Sequence, residues 1–405
     1  MGFLGEYRLF FERRIGVKKE PQNRIALVLG GGGARAAYQA GFLRYIGRRL
    51  PQLRFAILSG TSAGAINAVH LARFQGSLHR ATEDLRRLWS QLTMDQVFNA
   101  DTGSLAKIVT RWGLRLISGG SSFAPTTRGL VDTSPLKNFL CNQTSCLENG
   151  KIPGIEENIL RGHLHSLAIT TTDYNTGRSV TWIHGKNPKE WERTYRSGIQ
   201  AKISIDHVMA SCAIPLVFPA VKIGDSWHGD GGVRQTTPLS PVMHMGAERI
   251  LAISTRNLPD DVEPQKTTPK GYPPPAQVAG ILMNAVFLDA LEFDSGNVQR
   301  FNRLLEKLPE EDRCGLRPVE LLTARPSEDP GVLAREFEAR LPGPFRFLER
   351  GLGTQETESH DLLSLLMFQP EYIEALISLG EKDARERADE VIPFLIGDRK
   401  ASVVS

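Results

Sequence analysis

Residues 25–35 read Ile-Ala-Leu-Val-Leu-Gly-Gly-Gly-Gly-Ala-Arg, a short apolar run that stops at four consecutive glycines. From Ala34 onward the apolar residues recur at helical spacing, in ARAAYQAGFLRYIGRRL. A short apolar run bounded by glycine is typical of a buried strand, and the periodicity after it predicts a helix. This stretch therefore predicts a strand, a tight turn and a helix in direct succession.

A second unit of the same kind follows at once. Phe55–Leu58 (FAIL) leads into Ser-Gly-Thr-Ser-Ala-Gly, and the next residues, AINAVHLARF, again show helical spacing. Two consecutive strand–helix units predict a parallel sheet with right-handed crossovers. Further strands are predicted at 167–172 (LAITTT), 179–183 (SVTWI) and 250–254 (ILAIS). The predicted fold class is therefore α/β, a three-layer α/β/α arrangement with a mainly parallel central sheet.

Composition shifts along the chain predict four parts. Residues 1–23 form a charged leader, and residues 24–257 carry the motifs and form the predicted catalytic domain. Within that domain, the polar, glycine-rich stretch 94–135 is a candidate lid, because insertions of this kind often cover active sites. A proline-rich linker at 258–275 precedes a mostly helical region at 276–405. A strand candidate at Val319–Ala324 would let that region pack on the catalytic sheet.

The overall composition narrows the class of protein. The net charge of +4 is too small to indicate a nucleic-acid partner, and 41% hydrophobic residues are ordinary for a globular protein. Four cysteines without a CxxC pair predict neither a zinc site nor a disulfide framework, and so a reducing compartment. The sequence shows no secretory signal and no apolar run of the roughly 18–20 residues that span a bilayer. We therefore expect a cytoplasmic protein that contacts membranes at their surface.

Gly60-Thr61-Ser62-Ala63-Gly64 fits the GxSxG nucleophile elbow. In that motif a serine occupies a sharp strand-to-helix turn, and the small neighbours allow the chain to fold back closely. The motif alone is weak, but here a predicted strand precedes it and a predicted helix follows. Ser62 is therefore the candidate nucleophile, and a purely structural glycine turn is the alternative.

The glycine run at 30–33 directs consecutive backbone N–H groups at one point, which favours a negative charge there. That charge would be the oxyanion of an acyl-transfer intermediate, bound by Gly31, Gly32 and Gly33, or the pyrophosphate of a dinucleotide. The dinucleotide fingerprint GxGxxG is only partly met, because Ala36 takes the third glycine position. A tight turn without a ligand remains open. For Arg35 the sequence allows a loop anchor, a contact to a phosphate headgroup or an exposed side chain.

Asp230-Gly231-Gly232 follows the run PAVKIGDSWHG, and an aspartate between glycines can be approached closely by another segment. We hypothesise that Asp230 accepts the Ser62 proton directly, without a histidine. A Ser62–Asp230–His360 triad is the alternative. It is disfavoured because only about one strand fits before the elbow strand, whereas α/β-hydrolases have several. His228 lies two residues before Asp230 and is expected to be structural.

These three motifs, GGGxR, GTSAG and DGG in this order, closely resemble the patatin-like phospholipase family. The resemblance covers roughly residues 24–255 and includes Ala213–Pro219 (AIPLVFP). It implies an α/β/α fold, a dyad of Ser62 and Asp230, an oxyanion hole at the glycine run, and hydrolysis of lipid acyl esters without metal or organic cofactor. Supporting motif residues would be Arg35, Gly60, Gly64, Gly231 and Gly232.

The same residues also suit an acyltransferase or a neutral-glyceride lipase, and a non-catalytic lipid- or nucleotide-binding regulator would keep the same loops. Within the candidate lid, Leu105–Ile117 (LAKIVTRWGLRLI) combines an apolar face with basic residues. Arg111 and Trp112 are therefore candidates for contact with a lipid surface. A helix that only covers the core, with its charges in water, is the alternative.

Overall fold

A computed structural model describes residues 24–99, 129, 131–186, 188–257, 278, 281–282, 285–286, 289–313, 315–337 and 361–397. The predicted leader 1–23 and linker 258–275 lie outside these ranges, as does most of the candidate lid. The predicted division into four parts therefore stays a prediction. No helix in the described ranges is long and apolar enough to cross a membrane.

The described residues contribute ten strands to one central sheet. They are β1 (Ile25–Leu29), β2 (Ile57–Thr61), β3 (Ser166–Asp173), β4 (Arg178–Gly185), β5 (Trp191–Arg193), β6 (Arg196–Gln200), β7 (Val221–Ile223), β8 (Ser226–Asp230), β9 (Arg249–Ile253) and β10 (Glu320–Ala324). Strands β10, β9, β1, β2 and β3 are neighbours in that order and run parallel. Beyond β3, the pairings of β4 with β3 and of β5 with β6 are antiparallel. The predicted mainly parallel sheet is confirmed, with an antiparallel extension that the sequence did not indicate.

Helices cover both faces of the sheet. They are α1 (Ala37–Arg49), α2 (Ala63–Arg73), α3 (Leu78–Gln91), α4 (Met94–Val97), α5 (Ser134–Thr144), α6 (Ile155–Leu160), α7 (Ile205–Ser211), α8 (Ser240–His244), α9 (Ala290–Lys307), α10 (Pro330–Arg335), α11 (Asp361–Leu366), α12 (Pro370–Glu386) and α13 (Ala388–Ile396). Short 3-10 turns occupy Gly33–Ala36, Gly231–Val233 and Glu310–Arg313.

The alternation of side chains along β1 separates two hydrophobic cores. Ile25, Leu27 and Leu29 pack into the larger core, under helices such as α1, α2 and α12. Ala26 and Val28 point to the other face and pack with residues of α8 and α9. Successive residues of a strand face opposite sides of a sheet, so a strand that is apolar at every position is buried on both faces. This explains why IALVL reads as a continuous apolar run, and it produces the three-layer architecture.

Strands β2 and β8 meet along one edge of β3. Strand β4 occupies the other edge of β3 over its full length. Strand β2 runs parallel to β3 and ends with Thr61 opposite Thr170. Strand β8 runs antiparallel to β3 along the continuation of the same edge, and ends with Asp230 opposite Thr171. Because the two strands run toward each other, their carboxyl ends face the same gap.

The C-terminal region is packed directly onto this sheet. Strand β10 pairs with β9, which confirms the strand predicted at 319–324. Helix α12 lies across α1, where a Cβ at Gly41 would collide with the carbonyl of Ile377 and a Cβ at Gly380 with the carbonyl of Tyr38. Two helices can approach this closely only where side chains are absent from the contact. The described part of the C-terminal region therefore contributes a strand, β10, to the sheet and a helix, α12, that covers the main core.

The structure contains a local disulfide that the sequence analysis did not predict. Cys141 and Cys146 form a disulfide, with Cα atoms 4.7 Å apart. Helix α5 ends at Thr144, and Ser145 adopts a left-handed conformation that turns the chain back, so that the amide of Cys146 donates to the carbonyl of Cys141. The number of cysteines in a sequence does not predict such a local turn. The pair removes the support for a reducing compartment, because disulfides persist mainly in oxidising ones.

Candidate active site

Ser62 occupies a strained turn between β2 and α2. Its backbone has φ 54° and ψ −133°, a conformation that side chains other than glycine rarely adopt. The turn is held from one side by Ser211, whose hydroxyl accepts the Ser62 N–H at 2.9 Å and donates to the carbonyl of Thr170 at 2.7 Å. The serine is only 4% exposed. Strain that persists at a buried, hydrogen-bonded position is typical of functional sites.

The glycines of the elbow allow the chain to fold back onto β1. A Cβ at Gly64 would collide with the carbonyl of Leu29, and one at Gly60 would lie 2.5 Å from the carbonyl of Gly64. Likewise a Cβ at Gly231 would collide with the carbonyl of Thr170. These positions fit the close-approach role that the GxSxG pattern predicts.

Asp230 ends β8 and is fully buried. Its Oδ1 accepts the N–H of Gly232 at 2.8 Å, whereas its Oδ2 has no hydrogen-bond partner within the described part of the chain. Burial raises the pKa of Asp230 to about 7, and the nearby Ser62 hydroxyl and the Gly232 N–H oppose that rise. The carboxyl group thus lies beside Ser62 with one oxygen unused, and it exchanges its proton near neutral pH.

The glycine run lies on the opposite side of Ser62 from the edge of β3. A Cβ at Gly31 would lie 2.9 Å from the Ser62 Cβ and 3.6 Å from its Oγ. The Thr255 hydroxyl donates to the Gly31 carbonyl at 2.5 Å, which fixes the peptide planes of the run. Among the described residues, no acceptor contacts the amides of Gly31, Gly32 or Gly33. Gly31 therefore lies next to Ser62, in a run whose N–H groups have no acceptor among the described residues.

Arg35 is buried, with 1% of its surface exposed, so the exposed alternative is wrong. Its Nε donates to the hydroxyl of Ser364 in α11 at 2.7 Å. A Cβ at Gly33 would collide with the carbonyl of Leu365 on the same helix. Arg35 therefore joins the glycine run to the C-terminal region.

Of the two histidines weighed in the sequence, the structure describes His228. His228 is buried, its Nδ1 lies 3.1 Å from the Thr171 hydroxyl, and its ring meets the edge of Trp182 at 5.4 Å. Burial lowers the pKa of His228, so its ring is mostly neutral near pH 7. These contacts fit the structural role expected for it. His360 lies outside the described residues.

A small apolar cavity of about 30 Å³ opens beside Ser62. Its walls come from elements far apart in sequence and include Ile66, Trp89, Val97, Leu136, Phe218 and Phe368. Phe368, between α11 and α12, is a residue that sequence reasoning missed, because nothing in the helical tail suggested a part in the site. Ser211 was missed as well, since a lone serine before Cys212 gives no signal.

Two buried hydrogen bonds stabilise the end of β2, just before Ser62. The Thr61 hydroxyl donates to Oε1 of Gln235 at 2.5 Å, and Nε2 of Gln235 donates to the hydroxyl of Thr170 at 3.1 Å. These hydrogen bonds link β2, β3 and the segment that follows Asp230. They help to fix the end of β2 relative to β8.

The residues predicted to contact a membrane are not tested by the structure. Arg111 and Trp112 of the candidate lid lie outside the described residues, so their part in membrane contact stays a prediction. Across the described ranges, no group of three His, Cys, Asp or Glu side chains is arranged to hold a metal ion.

Comparison with known proteins adds a family match. The family model described as patatin-like phospholipase matches residues 27–243, which is more than half of the chain. A search of curated proteins found no match. Among solved structures, the chain is similar to human GIVD cytosolic phospholipase A2 in complex with methyl gamma-linolenyl fluorophosphonate, with 14% identity and a TM-score of 0.44. That match covers 93% of this chain and 58% of the human one.

Two further solved structures give similar matches. VipD from Legionella pneumophila has 11% identity and a TM-score of 0.35, with 93% of this chain and 67% of that chain covered. The type III effector protein ExoU has 12% identity and a TM-score of 0.35, with 93% of this chain and 53% of that chain covered. The chain thus spans between about half and two thirds of the length of the solved structures that it matches.

Proposed function

The chain belongs to the patatin-like phospholipase family, and on that premise we propose that it hydrolyses acyl esters of lipids through a dyad of Ser62 and Asp230. Membership of this family supports lipid-hydrolase activity in general. The single observation that carries the finer assignment is the Asp230 carboxyl group, fully buried beside Ser62 with its Oδ2 unpartnered among the described residues.

The reaction begins when Asp230 takes the hydroxyl proton of Ser62 as Oγ attacks the carbonyl carbon of the ester. The former carbonyl oxygen becomes an oxyanion, and the amides at Gly31, Gly32 and Gly33 stabilise it. As the intermediate collapses, Asp230 returns its proton to the leaving alcohol. A water molecule then loses a proton to Asp230 and attacks the acyl-serine. Asp230 gives that proton to the Ser62 Oγ as the fatty acid leaves, which regenerates both groups of the dyad.

The pKa of Asp230 suits the role of a general base. A general base works best when its pKa lies near the working pH, because it is then ionised often enough and still binds a proton strongly. An ordinary exposed aspartate has a pKa near 4 and would be a weak base for a serine hydroxyl. Burial raises the Asp230 pKa to about 7 and brings it into the useful range.

A fluorophosphonate probe tests the assignment. We expect the wild-type protein to be labelled at Ser62, and the Ser62→Ala and Asp230→Asn variants to lose both labelling and lipid-ester hydrolysis. His228→Ala is the matched control, since it removes a buried side chain near Asp230 that the mechanism does not use. An unlabelled but folded wild-type protein would indicate a non-catalytic lipid- or nucleotide-binding regulator instead.

The substrate assignment is a phospholipid or lysophospholipid, with neutral glycerides and acyl transfer to another acceptor as alternatives that use the same residues. Product analysis with mixed vesicles and an added alcohol distinguishes these outcomes. For access to lipid in a bilayer, we propose peripheral contact through Arg111 and Trp112 of the candidate lid. Liposome co-sedimentation of Arg111→Glu and Trp112→Ala tests this, and unchanged binding of both would contradict it.

A further inference from the structure

A second cavity, of about 700 Å³, lies at the amino ends of the parallel strands. Ser166, the first residue of β3, lines it and pairs with Ile57 at the start of β2. Ser62 follows the opposite end of β2, so the two regions are separated by about 13 Å along the strand. Among the described residues, none lines both this cavity and the one beside Ser62. It is large enough for a ligand of ordinary metabolite or lipid-fragment size.

The charge of this cavity has one sign. Arg24, Lys186 and Lys189 line it, and none of its described lining residues is an aspartate or a glutamate. Arg24 also contacts the carbonyl of Met245, which fixes its guanidinium at the wall. Lys186 and Lys189 are exposed and form no ion pair with any described residue. Glu248 lies close enough to act electrostatically on Arg24, so the positive charge without a carboxylate partner among the described residues is that of Lys186 and Lys189. Unpaired cations at a cavity favour an anion.

Three residues that line this cavity, Ser166, His165 and Trp191, have a buried polar atom without a hydrogen-bond partner among the described residues. Ser166 is 1% exposed, and its hydroxyl oxygen has no hydrogen-bond partner within the described ranges. The neighbouring His165 has an unpartnered, buried Nδ1 over the same part of the chain. Buried polar groups in folded proteins are almost always hydrogen-bonded, so unsatisfied groups that line a cavity indicate a missing partner. A hydroxyl and an imidazole N–H are both suitable donors to an acidic oxygen.

The remaining wall of the cavity is apolar. Leu164, Ile183 and Met245 line it from the sheet side and are buried. Leu160 lines its rim with 77% of its surface exposed, which is unusual for a leucine at the edge of a cavity. Trp191 also lines the wall and stacks on His244 at a ring distance of 4.9 Å. The site therefore combines one basic end with an apolar surface.

We propose that this cavity is a second ligand site, which binds an anionic amphiphile with its phosphate or carboxylate head near Arg24, Lys186, Lys189 and Ser166. The acyl or alkyl chain lies along Leu164, Ile183 and Met245 and leaves the cavity past Leu160. A lipid and a free phosphate compound share the acidic oxygens that the basic end would recognise. The apolar wall favours the lipid, and nothing in this site depends on the chemistry at Ser62.

Isothermal titration with three probes tests the proposal. Dodecyl phosphate, below its critical micelle concentration, carries both the acidic head and the chain. Inorganic phosphate has only the head, and dodecyl maltoside has only the chain. The double variant Lys186→Glu/Lys189→Glu reverses the basic rim at exposed positions, so it should fold normally. Lys222→Glu/Lys307→Glu is the matched control, since it makes the same charge change at exposed lysines outside the cavity.

We expect dodecyl phosphate to bind the wild-type protein and the control variant equally, and the Lys186→Glu/Lys189→Glu variant at least tenfold more weakly. Equal affinity of the wild-type protein and both variants for dodecyl phosphate would contradict the proposed site. Binding of dodecyl maltoside as tight as that of dodecyl phosphate would overturn the preference for an anion. If inorganic phosphate bound as tightly as dodecyl phosphate, the ligand would not be an amphiphile, and the basic end would instead bind free phosphate compounds.

Discussion

Ser62 and Asp230 lie at the ends of two strands that run toward each other along a single edge of β3, with Thr61 opposite Thr170 and Asp230 opposite Thr171. Consecutive positions on β3 thus set the separation of the two residues. Each residue pair in a β-sheet fixes the distance between the two strands and their relative direction, so β3 holds the ends of β2 and β8 in defined positions. This arrangement explains how a serine and an aspartate so distant in sequence are brought together without a connecting loop of defined length.

The Asp230 carboxyl group should destabilise the folded protein in its ionised form, which is the form that activity requires. The pKa of Asp230 is about 7 in the folded protein, against about 4 in an unfolded chain. Between these values the folded state binds the extra proton, so Asp230 makes the protein less stable as the pH rises from about 4 to 7. At pH 8 the ionised carboxylate therefore lowers the free energy of unfolding, whereas at pH 4 it does not.

Asp230→Asn should remove that penalty and keep the acceptor for the Gly232 N–H. We expect the variant to be more stable than wild type by about 1–4 kcal/mol at pH 8 and to match it near pH 4, while activity is lost. Urea unfolding at both pH values measures this. Asp225→Asn, at an exposed position before β8, is the control and should change neither quantity. A variant that is less stable at pH 8 would show that the pKa of Asp230 is not raised.

The activity of the wild-type protein should depend on the same ionisation. Asp230 must be deprotonated to accept the Ser62 proton, so kcat/KM should rise as the pH passes about 7 and then level off. The profile can be measured with a soluble ester whose own ionisation does not change over this range. A profile that is already flat below pH 6 would mean that another group is the base.

The glycine run offers a matched pair of substitutions. A Cβ at Gly31 would lie 2.9 Å from the Ser62 Cβ, whereas one at Gly30 would have 3.9 Å to its nearest neighbour, the carbonyl of Ile253. Gly31→Ala must therefore displace either the serine or the amides of the run. The loss of one oxyanion donor costs about 10²- to 10³-fold in kcat, and we expect a loss of this size for Gly31→Ala but less than threefold for Gly30→Ala. Equal activity of the two variants would exclude the run from the oxyanion hole.

Much of this site could be predicted from local patterns. The apolar run at β1, the glycine turn after it and the GxSxG elbow are short-range signals, and each stands where the sequence indicated. The elbow strand was predicted at 55–58 but spans Ile57–Thr61. Ser59, Gly60 and Thr61 resemble a turn in composition, yet they continue the strand because small residues suit a backbone crowded by β1 and α2.

The rest depends on contacts between distant segments, which local patterns do not specify. Nothing around Asp230 indicates that β8 pairs antiparallel on the edge that β2 leaves unfilled. Similarly, the contact of Arg35 with Ser364 and the place of Phe368 in the Ser62 cavity require α11 and α12 to fold back over α1. Amphipathic patterns show that a helix is covered on one face, but not which helix or loop covers it.

The crossing of α1 and α12 predicts a large stability effect far from the reacting groups. A Cβ at Gly41 would collide with the carbonyl of Ile377, which belongs to a helix backbone and cannot move aside. Gly41→Ala should destabilise the protein by about 1–3 kcal/mol or more, since overpacking of a close helix contact forces the helices apart. Gly296→Ala, in the open middle of α9, should instead stabilise it by about 0.5–1 kcal/mol. Thermal unfolding of both variants measures the contrast, and similar midpoints would contradict the packing.

The wall that Phe368 contributes should decide which acyl chains the enzyme accepts. The cavity beside Ser62 has a volume of only about 30 Å³, so an acyl chain enters only if its walls move or shrink. Phe368→Leu removes part of a wall while keeping an apolar side chain, and it should cost about 1 kcal/mol in stability or somewhat more. We expect the variant to shift its preference toward longer esters in a series of p-nitrophenyl esters of increasing chain length. Phe337→Leu is the control, because Phe337 packs on Tyr372 outside this cavity and should leave the chain-length profile unchanged. If both variants shift the profile alike, the acyl chain does not pass Phe368, and a general loosening of the C-terminal region accounts for the change.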